Sequence, residues 1–298
     1  MRRTILLAAL LWLITVSVRA QQPADVVVVT EGCQAKVGDK VVGVLYAGNS
    51  LAVGAAQGDW LWVNFGVGGW IERKHVAPPA EAVRRFTAAV EKNSQSAEPY
   101  YLRGRAWQAD EKWSQAVADF DRAIEISPNV GTYFMSRGYA KQRHGDLAGA
   151  IRDYDEAVRL DPTDIQSYRL RASAWIARGQ YEQAIDDYNR AVRIAPQSPA
   201  ITNDRAWLLA TCPDPVYRNG FQAIQDATSA CELSGWKAFN RLGTLAAAYA
   251  ESGKFDDAIK WQQKCLELAP APYKQAQQSR LQLYQAHKPY REFAGLWK

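Results

Sequence analysis

The residues that could carry acid–base or nucleophilic chemistry are few in this sequence of 298 residues. Its three histidines, His75, His144 and His287, do not stand with a nucleophile or carboxylate in a recurrent catalytic arrangement. A glycine-rich phosphate loop and the HExxH and GxSxG motifs are missing from the sequence. The paired carboxylates Asp186–Asp187 and Asp256–Asp257 fall within the second helices of an internal repeat, where solvation and ion pairing explain them. These features predict a non-enzymatic protein without cofactor or metal.

Cysteine chemistry is a second possibility, and the four cysteines leave two interpretations open. Cys33, Cys212, Cys231 and Cys265 lack the close CxxC spacing of a zinc or redox site. Cys212 and Cys231 flank one irregular loop, so they could form a disulfide in an oxidising compartment. The alternative is that Cys231 and Cys265 are small side chains buried in helices.

Arginines and aspartates recur with a fixed spacing and could either bind anions or pair with each other. Four consecutive periods of 34 residues each contain one such arginine and one such aspartate, and an insertion displaces the last aspartate. These residues are Arg103, Arg137, Arg171 and Arg205, then Asp119, Asp153, Asp187 and Asp226. In the final period both change together, to Leu245 and Trp261. This joint replacement indicates contact, and an arginine already held by a carboxylate has little capacity left for a ligand. We therefore predict a structural ladder of ion pairs, because partly buried charges need partners.

The same period runs through small, aromatic and proline positions: Ala116, Ala150, Ala184; Phe120, Tyr154, Tyr188; Pro128, Pro162, Pro196. Each period reads as an apolar-periodic helix, a short turn and a second helix that ends before proline. The pattern resembles tetratricopeptide repeats, with units near 97–130, 131–164, 165–198, 199–238 and 239–271. One unit cannot bury its own apolar face, so the resemblance implies stacking into a superhelix over 97–271.

The flanks of this array have their own features. Residues 80–95 read as a connecting half-repeat helix, and 272–298 as a polar capping helix and tail. The unit over 199–238 is irregular, because about five residues are inserted around Cys212-Pro213-Asp214-Pro215, which cannot continue a helix. This loop should project. It is either a contact site, as longer loops on repeat scaffolds often are, or structural variation without function.

The resemblance also implies where a ligand would bind, because the first helix of each unit lines the concave face of such superhelices. The groove candidates on these helices are Tyr101, Arg105, Gln108, Met135, Tyr139, Gln142, Arg169, Ser173, Ile176, Asn203 and Trp207. Their aromatic, amide and cationic groups suit an extended peptide or a helix. The carboxylate clamp of chaperone-binding members is not reproduced, since Tyr101, Ser136 and Gln166 replace its lysines and asparagine. We therefore predict a protein or peptide partner other than a chaperone tail.

The segment over 24–78 has a different character. It consists of β-branched and alternating stretches punctuated by glycine, which predicts short antiparallel strands and a hairpin turn at Gly58-Asp59. The motifs Gly48-x-x-Leu51-x-Val53, Gly58-Asp59-Trp60-Leu61-Trp62-Val63 and Gly69-Trp70-Ile71 resemble bacterial Src-homology-3-like domains. The resemblance implies a compact five-stranded barrel and docking to a cell-wall or envelope component. We expect Trp60 and Trp70 to fill its core, and Trp62 and Phe65 to form an exposed aromatic groove.

The first twenty residues resemble a secretory signal peptide. A basic start at Arg2 and Arg3 precedes a short apolar run, and Val18-Arg19-Ala20 offers small residues around a cleavage point. An uncleaved anchor is the alternative. Removal of residues 1–20 lowers the net charge from +5 to +2, which gives no electrostatic basis for binding nucleic acid.

Together these features predict an α+β multidomain chain: a small all-β Src-homology-3-like barrel followed by an all-α tetratricopeptide superhelix. We expect an exported, periplasmic or secreted adaptor that binds a protein or peptide and docks to the envelope. A cell-wall-associated enzyme or its regulatory subunit is the alternative, and a structural spacer without a specific ligand is a third possibility.

Overall fold

A computed structural model describes residues 25–64 and 68–292 of the chain. The predicted signal peptide lies outside the described residues, as does Phe65 of the predicted aromatic groove. The chain divides into two compact units, residues 1–82 and 83–298. None of the described helices combines the length and apolar composition needed to cross a membrane.

The first unit is built from short strands, as the glycine-punctuated alternation predicts. The strands are β1 Val26–Val28, β2 Cys33–Val37, β3 Lys40–Leu45, β4 Ser50–Gln57, β5 Trp60–Asn64, β6 Gly68–Glu72 and β7 Val76–Ala77. They pair antiparallel in the order β3-β2-β6-β5-β4-β1-β7. The sheet formed by the described strands has free edges at β3 and β7. This sheet is not closed, so the prediction of a compact five-stranded barrel is not confirmed, whereas the strand-rich fold is.

The core of this unit is aliphatic. Leu61 and Val63 of β5 and Ile71 of β6 are buried, because alternation along a strand sends every second side chain to the same face. The same alternation places Trp60, 38% exposed, on the opposite face, and Trp70 is half-buried. The expectation that these two tryptophans fill the core is therefore wrong.

The second unit consists of helices. The described residues from 79 onwards contain α1 Pro79–Lys92, α2 Ala97–Ala109, α3 Trp113–Ile126, α4 Gly131–His144, α5 Leu147–Leu160, α6 Ile165–Ala177, α7 Tyr181–Ile194, α8 Pro199–Thr211, α9 Gly220–Leu233, α10 Phe239–Glu251, α11 Phe255–Leu268 and α12 Ala271–Gln285. Helices α2–α3, α4–α5, α6–α7, α8–α9 and α10–α11 form packed pairs, and successive pairs stack. This stack is the helical superhelix that the repeat pattern predicts.

Small residues on the first helix of a pair make room for an aromatic ring on the second. A Cβ atom at Gly138 of α4 would lie 2.8 Å from the ring of Tyr154 on α5. The equivalent distance from Gly104 to the ring of Phe120 is 2.6 Å. Both aromatic side chains are fully buried. The periodic glycine and the periodic aromatic residue are thus two halves of one packing arrangement.

The insertion in the irregular pair lies between α8 and α9. Arg218 holds it by donating from Nη1 to the carbonyls of Cys212 (3.0 Å) and Pro213 (3.1 Å), and from Nε to Glu251 Oε1 of α10 (3.0 Å). Val216 at its tip is 80% exposed. The insertion therefore projects, and Arg218 fixes its base.

Candidate functional site

The groove candidates fall into three rows on α2, α4, α6 and α8, and "the groove" below means the face that carries them. Within a row, equivalent positions are 34 residues apart: Tyr101, Met135, Arg169 and Asn203; Arg105, Tyr139, Ser173 and Trp207; Gln108, Gln142 and Ile176. Because the rows repeat with the helix pairs, neighbouring members lie on neighbouring units. A ligand that follows one row would therefore contact several units.

Several candidates of the first two units make contacts within their unit or with the next one. Gln108 donates to the Ser136 carbonyl (2.8 Å), and Gln142 donates to Ser173 Oγ (3.1 Å) while accepting from the Tyr154 hydroxyl (2.9 Å). Met135 packs on the apolar cluster around Tyr154. Each glutamine thus uses part of its hydrogen-bonding capacity within the protein, which reduces what it can offer a ligand.

Aromatic and cationic candidates of the same region form small clusters. The Tyr101 and Tyr133 rings lie 4.9 Å apart, and Arg105 donates to the Tyr101 hydroxyl (3.2 Å). Tyr139 lies half-buried, with its ring 6.2 Å from that of Trp113 in an edge-on contact. These side chains remain partly exposed, so the first two units offer aromatic surface and hydroxyl groups.

The third and fourth units bring Arg169, Ser173, Ile176 and Trp207 together around one cavity of about 180 Å³. Its other lining residues are Leu170, Tyr188, Asp204, Leu208 and Glu292. Arg169 is not free to bind an anion, because its Nε lies 2.5 Å from Asp204 Oδ2. The predicted groove residues thus converge on a partly apolar cavity in which Arg169 is already paired with Asp204.

The chain behind α12, residues 286–292, was not predicted to reach this site. The Glu292 amide donates to the Thr211 carbonyl (3.0 Å), and the Trp207 indole N–H donates to Glu292 Oε2. The Tyr290 ring lies 5.7 Å from that of Trp207. Burial raises the pKa of the Glu292 carboxyl, against the lowering effects of the Trp207 hydrogen bond and the Arg280 charge. No local sequence pattern indicates this contact.

The ladder residues pair as their common spacing indicated. In each case two guanidinium nitrogens face both carboxylate oxygens, for example Arg171 Nη2–Asp187 Oδ1 (2.6 Å) and Nε–Oδ2 (2.9 Å). The same geometry joins Arg103 to Asp119, Arg137 to Asp153 and Arg205 to Asp226. All four aspartates are buried. A bidentate pair of this kind is charge-assisted and geometrically specific.

Each ladder arginine also reaches back to the second helix of the preceding unit, a contact that the ladder prediction did not include. The third guanidinium nitrogen donates to Asp121 from Arg137 (2.7 Å), to Asp155 from Arg171 (2.7 Å) and to Asn189 from Arg205 (2.9 Å). At Arg103 the partner is Thr87, at 3.5 Å. The polar residues at 87, 121, 155 and 189 also recur every 34 residues, so the sequence contained a pattern that indicates this contact. The forks are therefore occupied and unsuited to a ligand.

The four cysteines are free and buried, so the disulfide interpretation of Cys212 and Cys231 does not match the structure. Cys212 packs in a cluster with Tyr181 and Tyr188, whereas Cys231 and Cys265 share another. The two residues that flank the insertion thus face different parts of the core. Burial raises the pKa of the Cys231 thiol to about 12 and that of Cys265 to about 11.

These thiols should resist modification while the chain is folded. A raised thiol pKa leaves almost no thiolate at about pH 8, and the thiolate is the reactive species. We expect Cys231 and Cys265 to react with Ellman's reagent only after urea is added, as judged by mass spectrometry of the labelled peptides. Rapid labelling of either thiol in the folded chain would contradict the buried assignment.

The exposed aromatic surface of the strand-rich unit differs from the expected one. The Trp62 ring lies over Gly68, where a Cβ atom would be 2.3 Å from it, and meets Trp70 edge-on at 5.5 Å. An open cavity of about 570 Å³ is lined instead by Trp60 and Trp70, with Lys36, Gly38, Gln57, Gly58 and Asp59. Trp62 therefore supports this surface, and Trp60 and Trp70 provide it.

Metal chemistry finds no support in residues 25–64 and 68–292, where no three His, Cys, Asp or Glu side chains are close enough to hold an ion. What the described helices provide is a stack of paired helices, a continuous row of partly exposed side chains and one cavity. This combination defines a helical-repeat scaffold with an extended, partly exposed face.

Comparison with known families agrees with this class. Models of the tetratricopeptide repeat match residues 79–130, 135–199 and 241–272, on either side of the irregular pair. The helical part of the chain is therefore an array of tetratricopeptide repeats. The sequence has no significant match among curated proteins.

Solved structures share the fold at low sequence identity. YrrB is 17% identical with a TM-score of 0.52, covering 67% of this chain and 100% of its own. Yeast Tom70 is 19% identical with a TM-score of 0.54, covering 68% of this chain and 43% of its own. Cut9–Hcn1 of the APC/C is 16% identical with a TM-score of 0.56, covering 70% and 40%. These likenesses concern the fold alone.

Proposed function

We propose that the chain is a non-enzymatic adaptor whose groove holds an extended peptide or protein segment. The observation that carries this proposal is the convergence of Arg169 and Ser173 of the third unit and Trp207 of the fourth on one cavity. Tetratricopeptide repeats generally serve as protein-interaction modules, and YrrB is itself described as having an unusual peptide-binding site. Aromatic rings beside hydroxyl and cationic groups provide the contacts that an extended peptide needs.

Export and envelope docking complete the proposal. Residues 1–20 have the composition of a secretory signal peptide, which supports a periplasmic or secreted location. The strand-rich unit would contact the envelope or cell wall through the surface around Trp60 and Trp70, since exposed aromatic residues are frequent anchors of binding sites. In this arrangement one unit fixes the protein in place and the other presents the bound peptide.

The groove proposal is tested by removing partly exposed groove side chains far from residues 286–292. Residues 21–298, immobilised and incubated with envelope extract, are compared with the variant Arg105→Ala plus Tyr139→Ala. We expect the variant to capture its main partner at least about tenfold less, the scale of one lost anchor. Quantitative mass spectrometry of the captured proteins is the readout.

A matched control is Glu156→Ala plus Arg159→Ala, which removes an ion pair on the outer helix α5, away from the groove rows. This variant should capture the same proteins as the unchanged chain. If both variants retain all captured proteins while their thermal unfolding is unchanged, the groove is not the binding surface.

A further inference from the structure

Residues 286–292, here called the tail, leave α12 and lie against the end of groove helix α8. The Glu292 amide donates to the Thr211 carbonyl (3.0 Å), and Arg291 Nη1 donates to the Ala210 carbonyl (3.4 Å). Carbonyls in the last turn of a helix have no partner within the helix, so they are available to a segment that docks there. The tail thus binds α8 through main-chain groups that any extended peptide could address.

Three successive tail side chains each meet a complementary group. The Tyr290 ring packs on Trp207, and the Arg280 guanidinium lies over both rings, 4.6 Å and 4.7 Å from their centres. Arg291 Nη2 pairs with Glu251 Oε2 at 2.5 Å. The Glu292 carboxylate accepts from the Trp207 indole and forms part of the cavity wall.

The central partner of the tail is also a groove residue. Trp207 is the fourth member of the row that contains Arg105, Tyr139 and Ser173, so the tail occupies one position of the surface proposed to hold a peptide. An attached segment competes at an effective concentration in the millimolar range for a short linker, which is enough to weaken a moderate ligand strongly.

We propose that the tail is an internal ligand of the groove, displaced by an extended partner peptide that carries an aromatic, a basic and an acidic residue in succession. This inference rests on the proposed function of the groove and adds the chemistry of its ligand. The aromatic residue would enter between Trp207 and Arg280, the basic residue would pair with Glu251, and the acidic residue would accept from the Trp207 indole.

The test uses full-length variants and a labelled peptide with the sequence of residues 286–292. Tyr290→Ala plus Glu292→Ala releases the tail without touching its docking site. We expect this variant to bind the peptide at least about tenfold more tightly than the unchanged chain in fluorescence anisotropy. Adding Trp207→Ala should abolish the gain, and a peptide carrying the same two alanines should not bind.

A tail that only caps the array predicts a different result. The released variant would then be folded and less stable, yet would gain no affinity for the peptide, and this outcome would overturn the proposal. If the released-tail variant does not fold, the unchanged chain can be tested instead. Excess peptide should displace its tail and so accelerate hydrogen exchange at the Glu292 amide. Unaltered exchange at saturating peptide would equally overturn it.

The two proposals can fail separately. Capture of envelope proteins could still depend on Arg105 and Tyr139 while the released-tail variant shows no gain in affinity for the peptide. In that case only the internal-ligand inference fails. Light scattering completes the test, because a dimer of the unchanged chain that dissociates on tail release would show that the tail binds a neighbouring copy. That result would overturn the assignment within one chain.

Discussion

Arg171→Leu should lower the free energy of unfolding by about 3–5 kcal/mol, because it leaves a buried carboxylate without its counter-charge. Asp187 is 3% exposed and receives two hydrogen bonds from this guanidinium. The second partner, Asp155, is half exposed and loses little on release into water. Urea unfolding followed by circular dichroism measures the change.

The companion variant Arg171→Leu plus Asp187→Leu should lose less than Arg171→Leu alone. The chain itself contains an apolar version of this pair, since Leu245 and Trp261 occupy the equivalent positions and share one apolar cluster. We expect a coupling energy of about 2 kcal/mol or more, within the range for contacting residues. Additive losses in the double-mutant cycle would show that the pair contributes nothing as a unit.

The ion pair of the preceding unit, Arg137–Asp153, should show a smaller loss of stability. Asp153 is held by Arg137 and also by Lys141, whose Nζ lies 2.8 Å from Oδ2. Arg137→Leu should therefore cost less than Arg171→Leu. Arg159→Leu, which breaks an exposed pair with Glu156, should leave the urea midpoint almost unchanged.

Tyr154→Ala should cost about 3–5 kcal/mol, as is usual when a large buried aromatic side chain is removed. Its ring is fully buried between α4 and α5 and fills the space that Gly138 leaves open. Tyr154→Phe should cost about 1 kcal/mol, because only the hydrogen bond to Gln142 Oε1 is lost. The same urea titration distinguishes the two.

The control for this second prediction is Tyr273→Ala, which removes a tyrosine that is 53% exposed. Its effect should stay below about 1 kcal/mol, as for most surface substitutions. Equal losses for Tyr154→Ala and Tyr273→Ala would contradict the packing between α4 and α5. Because each unit packs on its neighbours, the Tyr154→Ala loss should be visible in the unfolding of the whole array.

The repeat array could be predicted closely because its decisive contacts are local or periodic. The glycine at 138 and the tyrosine at 154 belong to one helix pair, and the same pairing recurs one period away at Gly104 and Phe120. The ladder was readable for a similar reason, since its two members change together at Leu245 and Trp261. The groove rows came from the same repeat register.

What escaped prediction depends on contacts between distant segments. Strand β2 pairs with β6 and β1 with β7, and no local alternation specifies those partners. The barrel is therefore not confirmed. The error on Trp60 has a different origin, because the alternation along β5 already placed it on the face opposite buried Leu61. The contact of Glu292 with Trp207 spans 85 residues and follows no period. A helical turn or a repeat can be recognised in a sequence, but a contact between segments far apart in the chain cannot.

The arginines that bridge consecutive units have a mechanical consequence. Bidentate charge-assisted contacts fix the angle between the groups they join, whereas apolar contacts have no preferred direction. Arg137, Arg171 and Arg205 therefore fix the angles between consecutive units from α3 to α9, and Leu245 replaces the arginine at the equivalent position of α10. The part of the array from α3 to α9 should therefore resist bending more strongly than a stack of helices joined by apolar contacts alone.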